Sequence, residues 1–142
     1  MHRLTLAQAN ALIDAALAQA VRLQLKPLTI AVFDPGGNMI ALQRQDGAPQ
    51  IGSKVVTGKA SGALALGVSS RTVGELAMAR PHVIGAVGEL SPGGMVPAAG
   101  ALLIQDGAGP IVGAMAASGD TSDNDELCVL GAIEAVGLVA LR

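Results

Sequence analysis

Apolar and polar positions recur with two periods along this chain. Leu6, Ala9, Leu12, Ile13, Ala16, Leu17, Ala20 and Leu23 share one half of a 3.6-residue wheel, and Asn10, Asp14, Gln19 and Arg22 share the other. That pattern predicts an amphipathic helix to about Leu25, opened by a capping box between Thr5 and Gln8 and stopped by Pro27. The period then changes. Leu28 to Asp34 and Asn38 to Arg44 are apolar, β-branched runs around Pro35-Gly36-Gly37, which predicts an antiparallel hairpin. The first run is apolar on both faces and reads as a central strand. The second leaves the core at Arg44 and Asp46, and this exit is a place where a ligand can bind.

Gln45 to Pro49 reads as a loop, and Ser53 to Leu66 as a helix in which Gly58 and Gly62 weaken the backbone. Two glycines four apart point to close approach by another helix or a ligand. Lys54 and Lys59 are the charges on this helix, and their plain reading is solvated lysines. A short helix follows Gly67-Val68-Ser69-Ser70, with Thr72 and Glu75 at capping-box spacing and Pro81 as its end. His82 to Ala99, broken by Gly85, Gly88, Ser91-Pro92-Gly93-Gly94 and Pro97, reads as an ordered apolar lid. A second hairpin runs from Ala101 to Ala116 through Asp106-Gly107-Ala108-Gly109. A helix from about Ser122 to Leu141 closes the chain, capped by Asp123 and Glu126. This order predicts one α+β domain over residues 1–142, its antiparallel sheet covered on one face by helices. The doubly apolar strands then call for cover on the other face, which a second subunit would supply.

Composition sharpens this. Hydrophobic residues make up 51% of the chain and charged ones 14%, well under the roughly one quarter of an average globular protein. The surplus implies subunit contacts, hence a homo-oligomer. With one Phe, no Trp, no Tyr and a net charge of −2, base stacking and phosphate binding are disfavoured, and nucleic acid is excluded as a partner. The single Cys128 rules out an internal disulfide and a Cys-based metal cluster. No apolar run is long enough to predict a membrane span, and Gln8, Asn10 and Asp14 interrupt any leader pattern, so a cytoplasmic location is expected.

Common catalytic and nucleotide-binding signatures are missing: no G-x-G-x-x-G after a strand, no P-loop, no G-x-S-x-G and no H-E-x-x-H. The acidic stretch from Asp120 to Glu126 lacks the Gly and Glu spacing of a calcium loop and reads as helix capping; no metal site is predicted. His2 sits at a fraying end and reads as idle. What remains is a set of polar residues that could converge on one pocket. Arg44 and Asp46 lie at the hairpin exit, with Gly93 and Gly94 in the lid and Asp125 at a helix start, as ligand-binding candidates. Lys59, His82 and Glu126 are candidates for catalysis.

Several short pieces recur in a telling order: Leu4-Thr5-Leu6 with Ala9, Ile30-Ala31-Val32 with Asp34-x-Gly36-Gly37, and Arg44-x-Asp46-Gly47-Ala48. Lys59-Ala60 with Ala63, Pro92-Gly93-Gly94, Val112-Gly113, and Ser118-Gly119 with Asp125-Glu126 and Gly131 complete the set. With these the chain resembles the GlcG/HbpS family, heme-degrading-domain-like proteins that also include the C-terminal domain of PduO. The resemblance implies a profilin-like antiparallel sheet of about five strands flanked by helices, usually in a homo-oligomer. It also implies a small-ligand-binding accessory protein, with heme as a possible cofactor because some members bind it. This chain departs from those members in having no His in the first helix or the sheet pattern, which leaves His82, Met95 and Met39 as residues able to ligate iron. The alternative is a small lyase or isomerase acting on an organic acid or aldehyde. There Arg44 or Lys59 would hold a carboxylate, and His82, Asp125 or Glu126 would move a proton.

Overall fold

The structure is a computed structural model that describes residues 3–142; the reading of His2 lies outside the described residues. Along the chain come α1 (Leu6–Arg22), β1 (Thr29–Phe33), β2 (Met39–Arg44), α2 (Gly52–Leu66), α3 (Ser70–Ala79), α4 (Pro81–Leu90), β3 (Ala101–Gln105), β4 (Ile111–Ser118), α5 (Ser122–Ala135) and β5 (Val139–Leu141). The five strands form one antiparallel sheet in the order β2-β1-β4-β3-β5. The architecture is α+β. β1 is buried at every residue and lies between β2 and β4, with Ala31 facing Leu42 on one side and Ala116 on the other. Its apolar character on both faces is what places it there.

Alternation along β1 sends Ile30 and Val32 to one face and Ala31 and Phe33 to the other. On the first face α1 and α5 bring Leu12, Ile13, Cys128 and Ile133 against Leu102 and Met115. On the second face α2 packs Val56, Ala60 and Ala63 against Phe33, Leu103, Ala114 and Ala116. Alanines on both sides of this second interface let the helix lie close, and Phe33 fills the remaining volume. The expectation of helices on one face alone is therefore corrected: α2 of the same chain covers the other face. The apolar surplus left on the surface includes Val21, Ile51, Met78 and Leu90.

Other corrections follow from local chemistry. Pro81 begins a helix as well as closing one. It stands at the first position of α4, where its missing N–H is an orphan in any helix, so part of the expected lid is helical. The cap of α3 is Ser69, whose Oγ accepts from the Thr72 N–H, and that of α5 is Thr121, which accepts from Asn124; neither is the predicted pair. The last helix stops at Ala135. Leu138 N–H donates to Ile133 O and Gly137 N–H to Glu134 O, with Gly137 at φ +80°, and the chain leaves as edge strand β5. The glycines of α2 meet protein: a Cβ at Gly62 would lie 2.7 Å from Met95 Cγ, and one at Gly58 would strike Val96.

Candidate functional site

Helix α2 turns two chemically different faces to its surroundings. The inner face carries Val56, Ala60 and Ala63 and, among them, Lys59, which is only 3% exposed. The reading of Lys59 as a solvated lysine is overturned; Lys54 is exposed as read. The Lys59 Nζ lies 3.3 Å from Asp125 Oδ2 and donates to Ala117 O at 3.1 Å. Asp125 also accepts the Asp120 N–H at 3.0 Å and sits in the first turn of α5, where the helix dipole favours its charge. Burial lowers the pKa of Lys59 and raises that of Asp125, and the charge each presents to the other opposes both shifts. Gly100, at φ +135°, admits the ammonium; a Cβ there would stand 2.6 Å from Nζ.

Beside this pair, Arg71 of α3 ties down the next carboxylate. Its Nε donates to Glu126 Oε2 at 3.1 Å, and its Nη2 reaches Asp123. The carboxylates at the start of α5 therefore serve as ion-pair partners of two other helices.

The outer face of α2 forms the floor of a groove. Ser53, Thr57 and Ser61, four residues apart, line it with Lys54. A cavity of about 460 Å³ between Met39, Lys54 and Gly93 and another of about 160 Å³ beside Pro35 and Gly36 share Gly93 in their walls. The loop wall is held in place: Gly93 N–H donates to Ser61 Oγ at 3.2 Å, Ser61 Oγ meets Ser91 Oγ at 2.6 Å, and Val96 N–H donates to Gly58 O at 3.1 Å. The segment expected to be an ordered lid thus splits into α4 and a strip fastened along α2.

Sequence-predicted residues are dispersed around this frame. Gly93 lines the groove and Gly94 follows it, half-buried; Lys59 and Asp125 lie beneath α2; Glu126 is engaged with Arg71. Arg44 and Asp46 border a different cavity, beside α1, and His82 is exposed on the first turn of α4. The set does not converge on one pocket. Of the three possible iron ligands, Met39 lines the α2 groove and Met95 lines a cavity between α4 and the strip that follows it. Sequence reasoning missed Arg71 and the hydroxyls of the groove. The signal for the latter was present in the four-residue spacing of Ser53, Thr57 and Ser61; for Arg71 there was none.

A family model described as "Haem degrading protein HbpS-like" matches residues 4–134. The chain belongs to the HbpS-like family. Among solved structures it is similar to PduOC, determined as a heme complex, with 20% identity, a TM-score of 0.85 and 99% of each chain covered. It is also similar to a double mutant of HbpS from Streptomyces reticuli (22% identity, TM-score 0.81, covering 96% of this chain and 89% of that one). ORFY from Klebsiella pneumoniae matches at 22% identity with a TM-score of 0.82, covering 94% and 90%. At such identities the likeness establishes the shared fold. No curated protein sequence matches. Among the described residues no three His, Cys, Asp or Glu side chains group as a metal cluster, and no helix is long and apolar enough to cross a membrane.

Heme needs an axial donor for its iron, cations or hydroxyls for its propionates, and apolar cover. The α2 groove meets the first two of these needs in kind: Met39 brings a thioether, Lys54 an ammonium and Ser53 a hydroxyl to the lining of one cavity, while the Thr57 hydroxyl donates to Ser53 O at 2.8 Å.

Proposed function

We propose that this HbpS-like chain is a small-ligand-binding accessory protein whose ligand, heme in the first instance, occupies the groove on the outer face of α2. The observation that carries this reading is the grouping of Met39, Lys54 and Ser53 along one open cavity. Lys54 and the Ser53 hydroxyl would hold the propionates and Met39 would ligate the iron. Bound heme would supply a redox-active, ligand-binding iron. The PduOC–heme complex, on the same fold, supports the reading.

The alternative, a lyase or isomerase for an organic acid or aldehyde, calls for His82 together with Lys59 or Glu126 at one substrate. Lys59 and Glu126 already satisfy their charges with Asp125 and Arg71, while His82 stands apart on α4. Assembly of several copies belongs to the same proposal, resting on the exposed Ile51, Met78 and Leu90. The experiment is titration with hemin. A shifted Soret band that weakens in Met39→Ala and Lys54→Ala is expected. An unshifted band, or one indifferent to both substitutions, overturns the assignment.

A further inference from the structure

Helix α2 begins without the groups that usually satisfy a helix start. Its N-cap is Ile51, which has no side-chain acceptor to offer, and its first turn holds no acidic residue. Gly52 N–H turns back to Pro49 O and Lys54 N–H to Ile51 O, while Ser53 N–H takes no backbone acceptor among the described residues. The positive end of the helix dipole stands uncompensated there, with Lys54 adding to it.

Beneath this turn the sheet presents a row of polar side chains. Thr29 of β1 pairs with Arg44 of β2 on one side and with Ser118 of β4 on the other. Two residues along, the same ladders pair Ala31 with Leu42 and with Ala116, which all pack in the cluster under α2. Alternation therefore puts Thr29, Arg44 and Ser118 on the α2 face as well. A Cβ on Gly52 would strike the Thr29 hydroxyl, so that hydroxyl abuts the first residue of α2. Thr29 is fully buried, and its Oγ1 has no hydrogen-bond partner among the described residues. A valine of the same shape would avoid the cost of an unpaired hydroxyl, so the threonine asks for a partner. Arg44, exposed on the edge strand, joins no ion pair among the described residues.

We propose that this row, roofed by the N-terminus of α2, binds the carboxylate of a small organic acid. The acid enters from the β2 edge, where the fork of N–H donors on Arg44 takes it. Ser53 N–H and the positive end of α2 hold the same charge from above. Thr29 Oγ1 is sealed under Gly52, so a seated acid lifts the uncapped first turn and gives that hydroxyl, with Ser118 beside it, an acceptor. The net charge of −2 and the exposed Asp46, two residues past Arg44, oppose a phosphate dianion and favour a single negative charge. This inference does not rest on the heme reading, which Met39 and Lys54 carry.

The test is an amide-resolved NMR titration of the intact protein with sodium acetate, with ionic strength held constant by sodium chloride and inorganic phosphate run in parallel. Acetate is expected to shift the Gly52 and Ser53 amides and the Arg44 Nε–H saturably, with half-saturation of about 1–10 mM, and to leave the Met39 methyl in place. Arg44→Gln and Thr29→Val should each weaken binding about tenfold, a hydrogen bond to a charged group being lost in each, while Thr29→Ser retains it. Thr29→Val should also melt no lower than the unaltered protein, because it removes an unpartnered buried hydroxyl. Absence of a saturable shift by about 50 mM acetate, or tighter binding of phosphate than of acetate, overturns the inference. Unchanged affinity in either variant does so too. A Thr29→Val protein that melts well below the unaltered one gives the hydroxyl a purely structural role and overturns it as well. Hemin binding is read through Met39 and acetate binding through Arg44 and Thr29, so either assignment can fail while the other stands.

Discussion

Cutting the buried pair beneath α2 from its two ends should give unequal results. At 3.3 Å the attraction between Lys59 and Asp125 is about 5 kcal/mol at an effective dielectric of about 20, before the cost of desolvating either group. Asp125→Asn keeps a side-chain oxygen for the Asp120 N–H but leaves the Lys59 ammonium in the core with only Ala117 O for company. Stranding one buried charge costs about 3–5 kcal/mol. Lys59→Met strands a carboxylate that retains the Asp120 N–H and the positive end of α5, so its cost is smaller, about 1–3 kcal/mol. The double variant removes both charges and should be no less stable than Asp125→Asn alone. Urea unfolding at neutral pH measures all four proteins. A typical domain has about 5–15 kcal/mol to lose, so Asp125→Asn is expected to move the midpoint far while remaining folded or nearly so. Additivity of the two single changes within about 0.5 kcal/mol, or a costlier Lys59→Met than Asp125→Asn, would refute the reasoning.

Three further expectations follow from other parts of the molecule. The Lys26 N–H, ahead of Asn124 and the Thr121 N–H, pulls the Asp120 pKa down to about 2 from 3.8. Its stabilising share is therefore present above about pH 3.8 and lost as pH falls toward 2, and Asp120→Asn should flatten that acid limb in a pH series of unfolding curves. Cys128 donates its thiol to Ala16 O inside the core, and burial pushes its pKa up to about 12. Iodoacetamide should leave it unmodified in the native protein at pH 8 and label it promptly in urea; native labelling would contradict the packing of α1 on α5. Gln24, at φ +55°, ends α1 in a conformation that glycine adopts without strain. Gln24→Gly should raise stability by about 0.5–1 kcal/mol in thermal melts, and a loss would show that the side chain has a partner.

The first hairpin was legible because its turn and its strands agree: Pro35-Gly36-Gly37 permits the reversal, and the apolar run before it can only be central. The start of α1 was legible for a similar reason, since Thr5 and Gln8 announce it locally. α4 was hidden by its own composition, because Pro81, Gly85 and Gly88 read as breaks when seen one at a time. Position overruled them: proline at the first turn of a helix costs nothing that the helix had not already lost. The end of α5 was misplaced because Leu138, Val139 and Leu141 suit a strand and a helix equally well, and only pairing with β3 decides. The candidate site was the least legible part. Lys59 and Asp125 are 66 residues apart, and nothing near either one encodes the other. One clue was available: Lys59 shares its helical face with Val56, Ala60 and Ala63, a place where a solvated lysine does not belong.

Helix α4 gives no side chain to either core. It packs chiefly on α3, which is itself moored by the Ser70 Oγ accepting the Ala101 N–H and by Arg71 on Glu126. Unfolding α4 therefore surrenders little buried surface, and its amides should exchange with deuterium through an opening of its own, long before those of β1 or β4. A protease that cuts before apolar residues, such as thermolysin, would first cut within α4, leaving a nicked molecule whose central sheet still holds.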